Sequence, residues 1–270
     1  MAYRTLLMHL AELDSVGPQM RMAASVARLC SADLIGVGAR ATWPNIDAEE
    51  PLGELEVLVE QTLAEIDGIK SQFDSHASLF EHQPQWRSGV IVPEIMIGRE
   101  ACAADLILAA RSGHGALPGL AADNGALVIE TGLPILLLPE REAPLVLDTV
   151  VIGWKRTRES LRAISASLPF LKLAGRVLVA SVVDPDEESD VREELALVCA
   201  RLAAHGIKPE PRVIDGADQA GARLLALAAE ERAGLVVAGG YAHSRFREWV
   251  FGGVTRTLLS AAGPFVLLSH

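Results

Sequence analysis

The sequence predicts an α/β protein made of two repeated domains, each a five-stranded parallel sheet with helices between its strands. Three observations carry that expectation. Half of the 270 residues are hydrophobic but only 4% are aromatic, so the interior must be built from Ala, Val, Leu and Ile, as in sheets covered by helices. Short apolar runs of strand length alternate with stretches of helical periodicity along the whole chain. The alternation restarts after Pro139-Glu-Arg-Glu-Ala-Pro144, which is charged, bounded by two prolines and free of apolar periodicity, and so reads as a linker. Domains are therefore expected over 1–140 and 145–270.

Thr5 to Leu10 reads as the first strand. Gly17 to Cys30 carries Met20, Ala23, Ala24 and Ala27 at helical spacing, and Leu34 to Ala39 is the next strand. The stretch from Thr42 to Pro51 is acidic and proline-bounded and reads as a solvated connection. A helix follows from Leu52 to Phe73, with Leu55, Leu58, Val59, Leu63 and Ile66 on one face. Ser78 to Trp86 alternates loosely as an outer strand, and Val90 to Ala103 reads as a helix. Asp105 to Ala110 is a central strand, Arg111 to Gly119 a glycine-rich loop, Gly125 to Glu130 a short helix, and Leu133 to Leu138 a closing strand.

After the linker, strands are expected at Thr149–Trp154, Arg176–Val183, Lys208–Ile214, Leu235–Ala238 and Phe265–Leu268. Helices fall between them at Arg158–Leu171, Glu187–His205, Asp218–Arg232 and Gly253–Ala261. The halves align as text. Ala104-Asp-Leu-Ile-Leu-Ala-Ala110 matches Ala233-Gly-Leu-Val-Val-Ala-Gly239, and Gly132-Leu-Pro-Ile-Leu-Leu-Leu138 matches Ala262-Gly-Pro-Phe-Val-Leu-Leu268, which is an internal repeat. Such alternation implies right-handed crossovers, helices on both faces, and ligands at the carboxyl ends of the strands where strand order reverses.

One such end stands out. Leu235 to Ala238 reads as a doubly buried strand, Gly239, Gly240 and Ala242 let the chain turn, and Gly252-Gly253 precede a helix whose free N–H groups would face the same crevice. At these residues the chain resembles the universal stress protein family in its tandem two-domain form. That family's nucleotide signature is Gly, two residues, Gly, nine residues, Gly, then Ser or Thr, after the fourth strand. Here it becomes Gly239-Gly-Tyr-Ala242, the nine residues His243 to Phe251, then Gly252-Gly253.

The resemblance covers nearly the whole chain. It implies a Rossmann-like, adenine nucleotide alpha hydrolase-like fold, two domains packed as a pseudo-dimer, a homo-dimer of the whole chain, and a non-catalytic stress-response or signalling role. It also implies a site for ATP, ADP or AMP in the second half, at Trp154, Lys155, Val183, Gly239, Ala242, Gly252, Gly253, Val254 and Thr255. This sequence departs from the family pattern at three of these positions. Lys155 stands where nucleotide-binding members carry an Asp after the first strand, Ala242 replaces the second Gly, and Gly253 replaces the hydroxyl residue, with Thr255 two residues further on. Lys155, Arg156, Arg245 and Arg247 are the cations that could pair with phosphate instead. The first half is further from the signature, starting with Ala110 and carrying Asp123-Asn-Gly125 at the later glycine, where a carboxylate would repel phosphate. It reads as a structural partner that does not bind ATP.

Composition and motifs exclude other classes. A net charge of −11 opposes broad binding to nucleic acid or anionic membrane. Cys30, Cys102 and Cys199 lie far apart in apolar or helical segments, as plain thiols do. The N-terminal apolar run is too short for a secretory core, and no run reaches membrane-spanning length, so a soluble cytoplasmic protein is expected. The histidines lack ligand spacing and no metal is expected. Asp184 to Asp190 is acidic where a helix begins, which the helix dipole favours. Ala110-Arg-Ser-Gly-His114 is not a nucleophile elbow, and there is no Gly-x-x-x-x-Gly-Lys-Ser/Thr loop or carboxylate pair beside the glycine turn, so no enzyme is expected. Phe246, Trp249, Val250 and Phe251 bring apolar bulk into the signature loop, to stack on a base or, the preferred reading, to dock on the other domain. An interaction module without nucleotide is the alternative reading, and a nucleotide hydrolase is a third that the missing motifs disfavour.

Overall fold

The computed structural model describes residues 3–42, 52–111, 121–184, 188–240, 242–243, 250–251 and 253–270. Gly252, Arg245, Phe246, Arg247, Trp249, residues 43–51, residues 112–120, and Pro185, Asp186 and Glu187 of the acidic cluster lie outside them. In the first half β1 (Thr5–His9), β2 (Asp33–Arg40), β3 (Gln85–Val90), β4 (Leu106–Ala109) and β5 (Ile135–Leu137) alternate with α1 (Val16–Cys30), α2 (Leu52–Ser75), α3 (Pro93–Glu100) and α4 (Asn124–Glu130). The second half repeats this with β6 (Thr149–Gly153), α5 (Arg158–Leu171), β7 (Arg176–Val183), α6 (Glu188–Ala204), β8 (Pro209–Asp215), α7 (Ala220–Glu230) and β9 (Leu235–Gly239). A short hairpin, β10 (Ala242–His243) and β11 (Val250–Phe251), then precedes α8 (Gly253–Ser260) and β12 (Phe265–Ser269).

The expected elements are present with small shifts, except around the outer strand. Residues 77–79 form a 3-10 turn, and the strand runs instead from Gln85 to Val90. A polar edge strand has too weak an alternation to locate its ends; its pairing with β2, from Ile35 opposite Gln85 to Arg40 opposite Val90, sets them. The helix after it starts at Pro93 rather than Val90, because proline fits the first helical turn, where its missing N–H costs nothing. Glu188 and Asp190 sit in the first turn of α6, where acidic side chains meet the positive end of the dipole.

The two expected sheets are one. Ten strands run in the order β3-β2-β1-β4-β5-β12-β9-β6-β7-β8, a sequence that reads the same from either end once each second-half strand is matched to its first-half counterpart. Neighbours are parallel except at the centre, where β12 runs antiparallel to β5 with Leu267 opposite Leu136. Alternation along each strand splits the core into two layers. Leu6, Met8, Leu108, Leu136, Val150, Ile152, Val237 and Leu267 face one side with α1, α5 and α6. Leu7, Ile107, Leu137, Val151, Val236 and Val266 face the other with α3, α4, α7 and α8. Both layers continue across the seam between the halves, so neither half has a core entirely its own.

The seam is held by more than the central strands. The Tyr3 hydroxyl donates to the Ala166 carbonyl at 2.5 Å and its ring lies 5.4 Å from that of Phe170. The expected linker is docked on α1: Arg21 pairs with Glu142 at 2.6 Å, the Leu145 N–H donates to Ser25 Oγ at 2.9 Å, and Leu145 and Leu147 are buried. Among the described residues no helix is long and apolar enough to cross a membrane.

Candidate functional site

Strand order reverses twice, between β1 and β4 and between β6 and β9, and the carboxyl ends of those strands are the places where this class of sheet binds ligands. The sequence directs attention to the second. There Gly239 ends β9, and a Cβ on it would lie 2.7 Å from the Ser160 nitrogen and 2.8 Å from the Glu159 carbonyl carbon. The first turn of α5 is therefore seated directly on Gly239, and the glycine is required for close packing of backbone on backbone. Thr157 caps that turn, its side chain accepting from the Ser160 N–H at 3.2 Å. Glu159 is buried in it. Desolvation opposes its charge, but hydrogen bonds from Arg158, its own N–H and Thr157 together outweigh that and lower its pKa.

The other expected residues divide. Ala242 pairs with Phe251 across the hairpin, so the two ends of the signature loop meet. Gly253 opens α8 with nothing within 4 Å of where a Cβ would stand. Val254 is half-buried, and Thr255 is buried at 1% exposure. Lys155 is exposed beside the end of β6. Val183 is buried at the end of β7. Trp154 belongs to the core: its N–H donates to the Ala180 carbonyl at 2.7 Å, its carbonyl accepts from Ser181 Oγ at 3.0 Å, and its indole reaches Glu194 of α6 at 3.4 Å. The same Glu194 pairs with Arg156 at 3.1 Å. Among the described residues Lys155 makes no ion pair, whereas Arg156 is paired with Glu194.

The first switch point holds a cavity of about 440 Å³. Met22, Ile97, Ile107, Ala109, Leu127 and Leu138 give it apolar walls, and His9, Glu12, Ser15, Gln19, Arg111, Asn124 and Glu140 supply its polar groups. Most of those groups are already committed. His9 Nε2 lies 2.9 Å from the Ala39 carbonyl, and since a carbonyl only accepts, the ring proton sits on Nε2 and Nδ1 keeps its lone pair. Burial lowers the pKa of His9 below 6.5, with Arg40 acting in the same direction and the Ala39 bond and Glu94 opposing. Asn124 Nδ2 donates to the Ala110 carbonyl at 2.7 Å. All three nitrogens of Arg111 donate to carbonyls, Nε to Leu138 at 3.1 Å and the two terminal nitrogens to Leu258 at 2.7 Å and Pro264 at 2.6 Å.

Gln19 is the exception. The Ser15 hydroxyl spends its proton on the Glu12 carbonyl at 2.8 Å, so its oxygen accepts from Gln19 Nε2 at 3.0 Å. That fixes the amide orientation and leaves Gln19 Oε1 buried with no partner. Beside the cavity, Asp123 Oδ1 accepts from the N–H groups of Gly125 at 2.8 Å and Ala126 at 3.3 Å. The leading amides of α4, the ones a phosphate would need, are already occupied by this carboxylate.

The cavity and its lining were missed in the sequence. One signal was present: Gln19 shares a helical face with Met22, Ala23 and Val26, all buried, so an amide interrupts an apolar stripe. Arg111 gave no comparable signal, because two of its three acceptors, the Leu258 and Pro264 carbonyls, lie in the other half. Among the described residues no group of three His, Cys, Asp or Glu side chains is arranged to hold a metal ion.

No protein-family model matches the chain, and no curated protein matches it. Solved structures do. A universal stress protein from Archaeoglobus fulgidus DSM 4304 superposes with a TM-score of 0.67 at 12% identity, covering 98% of this chain and 97% of its own. A functionally unknown protein from Pseudomonas aeruginosa PAO1 gives 0.60 at 14% identity, covering 99% and 92%. A protein from Pseudomonas aeruginosa UCBPP-PA14, provisionally assigned to the universal stress proteins, gives 0.60 at 16% identity, covering 99% and 93%. Identities this low speak for architecture, and with both chains covered almost end to end, the chain has the α/β fold of the universal stress proteins through both of its halves.

Proposed function

We propose that the protein is a tandem universal stress protein acting as a non-catalytic stress-response or signalling factor, with at most one weak adenine-nucleotide site, in its second half. The observation that carries this reading is the second switch point. Gly239 ends β9 beside β6, the hairpin returns the chain through Ala242 and Phe251, and α8 opens at Gly253, which is the strand, turn and helix order that presents backbone N–H groups to an anion. Lys155, exposed at the end of β6, supplies the charge. The site is weak because Arg156 is paired with Glu194 and Trp154 is spent in the core.

Calorimetric titration with ATP, ADP and AMP tests the site. Saturable binding that weakens in Lys155→Ala supports it, and absence of heat with all three at millimolar concentration removes it. One observation favours a second reading, an interaction module without nucleotide: α5 already sits against Gly239 with no room for a Cβ between them. A silent titration in a well-folded protein is the outcome that reading expects.

A further inference from the structure

We propose that Arg111, a residue of the first half, is the positioning residue for α8 and so sets how firmly the second-half site holds a phosphate. This rests on the reading of that site as a nucleotide site. α8 runs from Gly253 to Ser260, and a phosphate at the second switch point meets the amides at its start. Its other end has carbonyls with no donor left inside the helix. There the guanidinium of Arg111 arrives from across the seam, one terminal nitrogen donating to the Leu258 carbonyl at 2.7 Å and the other to the Pro264 carbonyl, just before β12, at 2.6 Å. Its Nε holds the Leu138 carbonyl, just past β5, at 3.1 Å. A cation at the carbonyl end of a helix also complements the dipole.

The internal repeat shows that this arm belongs to one half only. Since Ala110 matches Gly239 and Gly132 matches Ala262, Arg111 stands where the second half has Gly240, and Leu258 stands where the first half has Val128. At the matching contact a Cβ on Gly240 would lie 2.7 Å from Val128. α4 is therefore packed onto bare backbone. α8 is met instead by a long side chain whose bonds run to three separate segments. Within its own half α8 leans on α7, where a Cβ on Gly221 would lie 2.8 Å from Thr257, and it buries Leu258. A planar fork fixes direction as well as distance. An eight-residue helix is a rod of about 12 Å, so holding its last turn also holds the amides at Gly253.

The test compares the full-length parent with Arg111→Met, Arg111→Lys and Met8→Ala, by calorimetric titration with ATP and by amide hydrogen exchange. Met8→Ala truncates a buried first-half side chain in the core layer away from α8, so it lowers stability without touching the arm. Arg111→Met is expected to weaken ATP by roughly tenfold through lost preorganisation, and to speed exchange across α8, relative to α6, by roughly tenfold or more. Arg111→Lys keeps the charge but not the fork and should resemble Arg111→Met in both, while Met8→Ala should bind ATP as the parent does. Parent-like ATP affinity in Arg111→Met, full recovery in Arg111→Lys, or equal weakening in Met8→Ala overturns the proposal. So does unchanged α8 exchange in the Arg111 variants. If one of those variants does not fold, the other, set against Met8→Ala, carries the decision. A parent silent toward ATP removes the nucleotide reading alone, and α8 exchange then decides whether Arg111 holds the helix.

Discussion

Single side chains at the first switch point show how a buried polar group is fixed by what its neighbours have already spent. Ser15 has one proton and gives it to the Glu12 carbonyl, which forces Gln19 to turn its nitrogen toward Ser15 and its oxygen away. His9 is fixed the same way by the Ala39 carbonyl. Because burial lowers the His9 pKa, the ring is neutral in the fold while the unfolded chain takes up a proton near pH 6.5. Between those two values the unfolded state binds more protons, so stability is fully present above about pH 6.5 and declines as pH falls toward the folded pKa. His9→Gln keeps a donor for Ala39 and has nothing to titrate. Urea unfolding at pH 7.5 and 5.5 should therefore show a smaller acid-side loss in His9→Gln than in the parent protein, and parallel losses would show that His9 does not carry the effect.

Helices of the two halves start in different ways, and the difference separates what the sequence could reveal from what it could not. Asp123 caps α4 through Gly125 and Ala126, and an Asp before a short apolar run is visible in the sequence as a helix start. Asp123→Ala should cost about 1 kcal/mol in urea unfolding, and a loss indistinguishable from zero would mean that the amides find another acceptor. The α5 start was equally visible, with Thr157 before Arg158-Glu159, yet its seat on Gly239 was not. Local periodicity reports which residues turn inward and where a turn occurs, so nine of the strands and the α-helices in the described residues were legible in approximate place, while the outer strand lies later than its weak alternation put it. Contacts between distant segments leave no such trace. Nothing near Trp154 announces that its indole goes to Glu194, forty residues away in sequence, and a cavity is the space left between α1, α3 and α4 after all three have packed. The glycine signature pointed to the second switch point, and a cavity of about 440 Å³ lies at the first.

At the scale of the whole molecule, the repeat has been used to build one sheet instead of two. Joining β5 to β12 removes an edge from each half, and unpaired edges are what a five-stranded sheet would otherwise expose. Once joined, the halves exchange further contacts. Tyr3 reaches α5, a Cβ on Gly240 would meet Val128 of α4 at 2.7 Å, and Arg111 crosses to the end of α8 and the turn before β12. Since both core layers run across the seam, neither half can unfold without exposing apolar surface of the other, and the chain should unfold in one cooperative transition. Arg111 tests this. Its three charge-assisted bonds end on carbonyls from both halves, and Arg111→Met strands those acceptors in a partly buried place, which should cost about 3 kcal/mol. Arg111→Lys should recover little of that, because one ammonium cannot span three acceptors arranged for a planar fork. If the seam binds the halves into one unit, calorimetric unfolding of Arg111→Met will show a single transition at lower temperature, with fluorescence and circular dichroism midpoints coinciding. Two separated transitions in the parent protein would show that the shared layers do not couple the halves, and that Arg111 only trims the surface where they meet.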